Sequence, residues 1–353
     1  MKKIILSIVA VAALFSCSKS DVIFDDFQQE IGFTAVASNS TKSVAGYNDA
    51  GVFDGVFPTN IDLYVFANVQ DEEDGELLSS WNTPYFQNAK FKFNSAKGSE
   101  ETQNSYATLG AYEGDPARYW PNVKTLMFAG YSDACGVAKN ATMNFATNTL
   151  TIPSYTQDNE TYTAEGTNDL MWFPCDDLPH SKEGKEVPAK MKHACSWITV
   201  KVKSDGKYSD LKLYDLTING LYHTGKATCG EESATWEVSG DATAENLYLN
   251  ATGDEVSSTE AIIFENTANN MIVIPQTPTS INVKYSFVPQ VGVDAITETK
   301  TNLPLKLNDA NSVNWESGKH YIYTITITAT EILIDPYVEN WTNYSDSIDK
   351  EIN

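Results

Sequence analysis

Alternation of apolar and polar side chains with a period of two is the feature of this sequence that most restricts its fold. Between His320 and Thr328, aromatic and aliphatic residues alternate with threonine. Because successive side chains of a strand point to opposite faces, this pattern predicts an antiparallel strand with one buried face. The same pattern recurs at Ile61–Val69, Ile198–Val202 and Ile281–Phe287. At Ile61–Val69 it places Asp62 and Asn68 on the exposed face.

One stretch of the chain shows this alternation with an interruption. Leu211 and Leu213 share a face, but the apolar pattern resumes at Leu216, one position out of phase. An extra residue in one strand produces such a slip, so the sequence predicts a β-bulge. No segment after the N-terminal leader keeps a helical period over three turns. Many short strands separated by Gly, Asn, Asp and Pro turns predict an all-β protein built from sandwiches.

The length of 353 residues favours two domains. The predicted boundary is the polar stretch His180–Lys185, which lies between two apolar runs. We therefore expect residues 29–180 to form an N-terminal β-sandwich and residues 181–353 to form a C-terminal one.

The first residues of the chain are typical of a bacterial secretory signal. The apolar stretch Ile4–Phe15 follows two lysines and is shorter than the roughly 20 residues that a bilayer span requires. Leu14–Cys17 resembles a lipobox, in which a small residue precedes a cysteine whose thiol accepts a diacylglycerol. We expect a signal peptide at residues 1–16, a lipid on Cys17 and a tether at residues 17–28. An ordinary signal peptide with an incidental cysteine is the alternative.

The charge of the chain argues against partners that are themselves anionic. Lys and Arg number 24 against 47 Asp and Glu, which gives a formal net charge of −23. A strongly acidic chain repels nucleic acids and anionic lipid surfaces, so neither is expected as a partner.

No catalytic or metal-binding motif is visible. The four histidines lack metal-ligand spacing, and no nucleophile elbow, P-loop or dinucleotide fingerprint occurs. The acidic run Asp71–Glu76 lacks the alternate-ligand pattern of a calcium loop and predicts a solvated hairpin tip. We expect no enzyme, no cofactor and no metal. Glycosidase carboxylates are assembled in space and leave no sequence pattern, so a surface hydrolase stays an alternative.

Cysteine and tryptophan leave two questions open. The four cysteines beyond Cys17 lack C-x-x-C spacing, so they either form one or two disulfides or are small buried thiols. They are Cys135, Cys175, Cys195 and Cys229. The seven tryptophans are either core residues or include a platform for a sugar. The second reading supports an alternative function, a glycan-binding outer-membrane surface lipoprotein.

A series of short motifs, taken in order, resembles the fimbrillin family of Bacteroidales, the lipoprotein precursors of type V pili. Each motif is weak alone, and their order across the mature chain carries the resemblance. The motifs are the lipobox at Cys17, Ile31–Thr34, Thr41–Lys42, Tyr119–Pro121, Leu126–Tyr131, Asp169–Trp172, His193–Cys195, Val273–Gln276, Trp315, Gly318–Lys319, Tyr321, Tyr323 and Asn340–Trp341.

The resemblance implies two tandem transthyretin-like β-sandwich domains and a structural role in a cell-surface fimbria that serves adhesion. It also implies assembly by donor-strand exchange. A protease cuts near the start of the first domain, the leading strand leaves, and the C-terminal strand of another subunit fills the groove. The implied partners are other fimbrial subunits and, through the lipid, the outer membrane. Stalk, anchor and tip roles all remain open.

In this chain the leaving strand would lie near Ile31–Val36. A donor strand needs alternate apolar residues, because these dock into the groove while the backbone pairs. Pro336 limits pairing in that region to a sheet edge or a break. The expected donor contacts are Ile332, Ile334, Val338 and Trp341. The alternative is that residues 331–341 complete the second domain.

The chain departs from the family at the processing site. The best-known members are cut after arginine, but the first arginine here is Arg118. Lys42 occupies a comparable place and is the candidate processing site. A subunit that is never cut would keep its lipid and could anchor the fibre.

Overall fold

The computed structural model describes most of the chain between residues 31 and 340. The described ranges are 31–37, 62–73, 76–94, 105–108, 118–121, 125–133, 140–157, 169–175, 180, 187–259, 261–264, 271–306, 313–328 and 331–340. Within these ranges the secondary structure is strand, with no helix, so the all-β prediction is confirmed. The same residues accordingly contain no helix that is long and apolar enough to cross a membrane.

The described residues up to His193 form eleven strands. They are β1 (Gly32–Ala37), β2 (Asp62–Val69), β3 (Glu72–Glu73), β4 (Glu76–Leu77), β5 (Thr83–Asn94), β6 (Ser105–Thr108), β7 (Leu126–Asp133), β8 (Thr142–Asn144), β9 (Thr149–Thr156), β10 (Leu170–Phe173) and β11 (Val187–His193).

Eleven further strands follow. They are β12 (Ser196–Ser204), β13 (Ser209–Leu221), β14 (Thr224–Cys229), β15 (Ala234–Ser239), β16 (Thr243–Glu255), β17 (Ile262–Phe264), β18 (Met271–Val273), β19 (Ser280–Val288), β20 (Ile296–Leu303), β21 (Lys319–Ile327) and β22 (Ile332–Asn340).

Seven strands form a sheet that closes on itself. Their order is β1-β11-β10-β7-β2-β5-β6, and β6 pairs back to β1. Its interior is an apolar core that includes Phe33, Leu63, Phe91 and Phe128. Alternation along each strand sends every second side chain into this core.

The outer face of this closed sheet is also covered. A four-stranded sheet of order β15-β14-β9-β8 lies over it, and the core between them includes Phe66, Tyr131 and Trp172. Strand β10 is therefore buried on both faces, with Met171 in the inner core and Trp172 in the outer one.

The remaining large sheets form a sandwich. One has the order β17-β12-β21-β22, with β18 also paired to β12, and the other has the order β16-β13-β19-β20. The core between them includes Ile198, Leu213, Trp315 and Ile325. Pairing of β13 with both neighbours shifts register between Leu213 and Asp215, so the predicted bulge is confirmed.

The sheets do not divide at the predicted domain boundary between residues 180 and 181. Strand β11 pairs with β1 and β10, and β14 pairs with β9, so strands after the boundary complete sheets that begin before it. The reason is physical: a polar stretch indicates an exposed loop, but it does not determine which sheet the next strand joins.

The acidic run that was predicted to be a solvated hairpin tip can be compared with the structure. The acidic run forms the β3–β4 hairpin, whose residues Glu72, Glu73 and Glu76 are exposed. Asp71 at its base accepts hydrogen bonds from Ser80 and Thr83, which hold the pKa of its carboxyl well below its usual range.

The cysteines follow one of the two readings that the sequence left open. Cys175, Cys195 and Cys229 are buried thiols, and burial raises the pKa of the Cys229 thiol. Cys135 lies outside the described residues.

Candidate subunit interface

Strand β1 lies between two neighbours in the closed sheet. It runs parallel to β11, with Phe33 opposite Val187, and antiparallel to β6, with Phe33 opposite Ala107. Just before the strand, the backbone N–H of Ile31 donates to the Arg118 carbonyl at 2.9 Å. Both edges of β1 are therefore engaged in backbone pairing.

The side chains of β1 reach the inner core. Ile31 and Phe33 are both fully buried. The Phe33 ring packs edge-on against Phe91 and Phe128, with ring centroids 4.9 and 5.2 Å apart. Ile31 and Phe33 therefore share a buried face of this segment.

Removal of β1 would change the sheet in a defined way. The facing edges of β6 and β11 would lose their backbone partners, and the core around Phe91 and Phe128 would lose the aromatic ring that fills it. Unpaired strand edges next to exposed apolar side chains form a template for an added strand.

The C-terminal strand β22 has a different environment. It pairs antiparallel with β21 along its whole length and lies at the edge of its sheet. Ile332, Ile334 and Val338 are partly buried against the sandwich core. In this structure, then, the three described donor candidates pack against their own chain, as the alternative of a completed second domain expects.

The other face of β22 is open. Leu333 and Tyr337 are 48% and 57% exposed, although both are large and apolar. Pro336 lies opposite Tyr323 in this edge strand, the kind of position to which proline is restricted.

The other predicted site residues cannot be placed. Cys17, Lys42 and Trp341 lie outside the described residues, as do the leader and the tether.

A hydrogen-bonded relay attaches the end of β22 to the sheet. His320 Nδ1 lies 2.9 Å from Glu339 Oε1, and its Nε2 lies 2.9 Å from Thr199 Oγ1. An ionised carboxylate only accepts, so Nδ1 carries the proton and Nε2 accepts from the hydroxyl. Burial and the nearby Lys201 ammonium lower the pKa of His320 to about 3. The Glu339 carboxylate favours a protonated ring and so opposes this decrease in the pKa. The neutral ring fits a side chain that is also stacked on the Trp197 indole.

Two of the sequence motifs meet in a buried pair that sequence reasoning did not predict. Asp169 Oδ2 accepts a hydrogen bond from His193 Nδ1 at 2.6 Å, and both side chains are almost fully buried. The pair links the start of β10 to the end of β11. In the sequence, the sign of this pair was that Asp169 and His193 each belong to one of the family motifs. Antiparallel pairing of β10 with β11 brings the two motifs together.

The turn before β21 is fixed by tyrosine hydroxyls. Trp315 Nε1 donates to the Tyr323 hydroxyl, and the Glu316 N–H donates to the Tyr321 hydroxyl, both at 2.9 Å. Gly318 has a φ of +67°, a conformation that favours glycine, and its N–H donates to the Cys195 carbonyl. The motif of Trp315, Gly318 and the two tyrosines is therefore a scaffold that joins this turn to the segment between β11 and β12.

Among the described residues, no group of three or more His, Cys, Asp or Glu side chains is arranged to hold a metal ion. The chemistry that these strands offer is backbone pairing and apolar burial.

Comparisons with known proteins agree with this architecture. A fimbrial protein from Bacteroides vulgatus superposes with a TM-score of 0.51 at 18% identity, covering 88% of this chain and 99% of its own. The C-terminally truncated tip fimbrial protein Mfa3 from Porphyromonas gingivalis is similar with a TM-score of 0.39 at 9% identity, covering 88% and 100%. The first of these similarities shows a shared fold. The comparison with curated proteins found no match.

A family model described as fimbrillin-like matches residues 49–341. The match spans the closed sheet from β2 onward and the whole sandwich. This chain belongs to the fimbrillin-like family.

Proposed function

We propose that this chain is a structural subunit of a cell-surface fimbria that joins its neighbours by strand exchange. In this proposal β1 is the strand that leaves, and β22 of another copy or another subunit is the strand that enters. The single observation that carries the proposal is the position of β1, which closes a sheet around a core that its own Phe33 fills.

The acceptor side follows from the two neighbours of β1. A new strand in the gap would pair with β6 and β11 and place every second side chain among Phe91, Phe128 and Phe173, which already surround Phe33. Burial of apolar surface, at roughly 25 cal/mol per Å², would then add to the restored backbone pairing.

The donor side follows from the edge position of β22. Its nine residues carry apolar side chains at alternate positions, and it has one described partner strand, β21. Release of an edge strand breaks one set of backbone bonds instead of two, so β22 is the less costly strand to detach.

Two versions of the chain, one without β1 and β22 and one with both strands, test the proposal. The acceptor-only chain begins after Lys42 and ends at Thr328, so it lacks both strands. The donor-only chain begins at residue 18 and ends at Asn353, so it keeps both. We expect the mixture to give a one-to-one heterodimer that resists sodium dodecyl sulfate without boiling, while neither chain alone forms that species.

The control for this experiment is a synthetic peptide of residues 29–37. Because it contains β1, it should occupy the vacant position and prevent heterodimer formation, whereas a scrambled peptide should not. A mixture that stays monomeric at high concentration, with both chains folded by circular dichroism, contradicts strand exchange.

We further propose that Cys17 carries the lipid, that the outer membrane is the site of attachment, and that Lys42 marks the processing site. Replacement of Cys17 by serine should move the protein out of the outer-membrane fraction. N-terminal sequencing separates the roles: a start at Cys17 indicates an anchored subunit, and a start at Ser43 indicates a processed one.

A further inference from the structure

A cleft of about 790 Å³ lies where the closed sheet, its covering sheet and the sandwich meet. The end of β11, strand β15 and the turn before β21 form its walls. This volume is within the roughly 300–1,000 Å³ of pockets that bind small ligands. The assembly strands β1 and β22 contribute to this lining only Asn340, the last residue of β22.

The floor of the cleft is aromatic. Trp172, Trp236 and Trp315 all line it, and Trp236 is the one of these three that is partly exposed. The indole N–H groups of all three donate to protein oxygens, at 3.0, 2.8 and 2.9 Å. Because Trp172 and Trp315 are fully buried, the aromatic surface that the floor offers to a ligand is the indole of Trp236.

The indole of Trp236 is held in place. Its Nε1 donates to the Ala194 carbonyl, and its ring packs edge-on against Tyr155 at 5.5 Å. A fixed, partly exposed aromatic ring contributes contact area at little cost in conformational entropy.

The rim of the cleft is polar and balanced in charge. Two lysines and two glutamates line it: Lys192, Lys319, Glu232 and Glu316. Lys192 Nζ lies 3.1 Å from Glu232 Oε2, and Lys319 Nζ donates to Asn340 Oδ1 at 2.5 Å. Because the cations already have partners and the charges are equal, the rim favours an uncharged polar ligand. Exposed Asn314 and Glu316 supply amide and carboxylate groups that bind hydroxyls.

We propose that this cleft binds a neutral carbohydrate, one face of which packs on Trp236 while its hydroxyls bond to Asn314 and Glu316. An apolar face combined with many hydroxyls is the property that distinguishes a sugar ring from other uncharged polar ligands, and the floor and rim match these two halves. The three side chains proposed to contact the sugar lie outside both β1 and β22.

Calorimetric titration with four neutral trisaccharides tests the proposal: maltotriose, cellotriose, mannotriose and N-acetylated chitotriose. We expect saturable binding of at least one, with a change in indole fluorescence. Trp236→Ala should weaken that binding at least about tenfold, because a central aromatic contact is lost. Trp81→Ala is the matched control, since Trp81 is also partly buried but does not line the cleft.

A second variant protects the test from a folding defect. Glu316 is exposed, so Glu316→Gln should fold as the parent does and still weaken binding severalfold. No saturable binding of any of the four sugars at about 10 mM, or equal affinity in the Trp236→Ala and parent proteins, overturns the proposal. If a peptide of residues 332–340 binds there instead, the cleft is a protein contact and the proposal also fails. Heterodimer formation by the deletion chains should be unaffected by either substitution, so the two proposals fail separately.

Discussion

Strands β1 and β22 are both apolar at alternate positions, yet they differ in the number of their neighbouring strands and in the burial of their side chains. β1 has a neighbour on each side, and its Phe33 is fully buried. β22 has one described neighbour at the edge of a sheet, and its apolar residues are at most partly buried. The same type of strand is thus integral to one core and peripheral to the other.

The difference separates two requirements of strand exchange. A useful acceptor groove must be deep, so that the strand that fills it is held strongly, and β1 occupies such a position. A useful donor must leave its own sheet without unfolding it, and an edge strand meets that condition. Four measurements can break or sharpen this comparison.

The largest effect is expected from Phe33→Ala. Loss of a fully buried ring that contacts Phe91 and Phe128 should lower the free energy of unfolding by about 3–5 kcal/mol, measured by urea denaturation. Phe33→Leu, which keeps most of the apolar volume, should cost less than half as much. A loss under about 1 kcal/mol for the alanine variant would mean that β1 is peripheral as well.

The next effect is a loss of stability at low pH through His320, which is hydrogen-bonded to Glu339 of β22. The pKa of His320 is lowered to about 3 in the folded protein, against 6.5 for the unfolded chain. Between these values the unfolded state binds the proton and the folded state does not, so stability is lost as the pH falls below 6.5. From pH 7 to pH 5 this amounts to about 2 kcal/mol.

The comparison of the parent with His320→Gln isolates this histidine from the other titrating groups, including Lys201 and Glu339 that lie beside it. The variant should lose less stability than the parent over the same pH interval in chemical denaturation. Equal pH slopes in the two proteins would contradict the neutral, buried assignment of His320.

A smaller effect is expected from Ile334→Ala on β22. Because this side chain is only partly buried, its truncation should cost about 1 kcal/mol. Its register partner on β21, Ile325, is fully buried, so Ile325→Ala should cost about 2–5 kcal/mol in the same assay. Similar losses at the two positions would remove the distinction between a peripheral strand and its neighbour.

The smallest effect is expected on the open face of β22. Tyr337 is 57% exposed, so Tyr337→Ser should change the free energy of unfolding by no more than about 0.5 kcal/mol. Thermal unfolding of the two proteins side by side measures this. A loss above about 1 kcal/mol would show that part of the chain covers this face.

The sequence predicted individual strands better than their assembly. The alternation at β21 and the bulge in β13 were both visible, because each depends on residues close together in the chain. The closed sheet was not visible. Strand β2 is buried on both faces, and Asn68, predicted to be exposed, is buried and donates to the Trp81 carbonyl at 2.5 Å.

Prediction of the candidate interface and of the cleft from sequence was limited in the same way, because both depend on how distant strands assemble. Apolar alternation located β1 and β22, but only the fold shows that one is enclosed and the other lies at an edge. The cleft combines Trp172, Trp236 and Trp315 from three distant parts of the sequence, and no local pattern marks such a meeting. The Asp169–His193 pair likewise required the register of β10 and β11.

The mixed neighbours of β1 have a consequence for the shape of an assembly. Because β11 runs parallel to β1 and β6 runs antiparallel to it, a replacement strand that keeps both pairings has only one permitted direction. A contact between a groove on one molecule and a tail on the next is heterologous, and such contacts propagate unless the rotation happens to close a ring. A chain of these molecules would therefore have two unlike ends, and growth at one end would be chemically distinct from growth at the other.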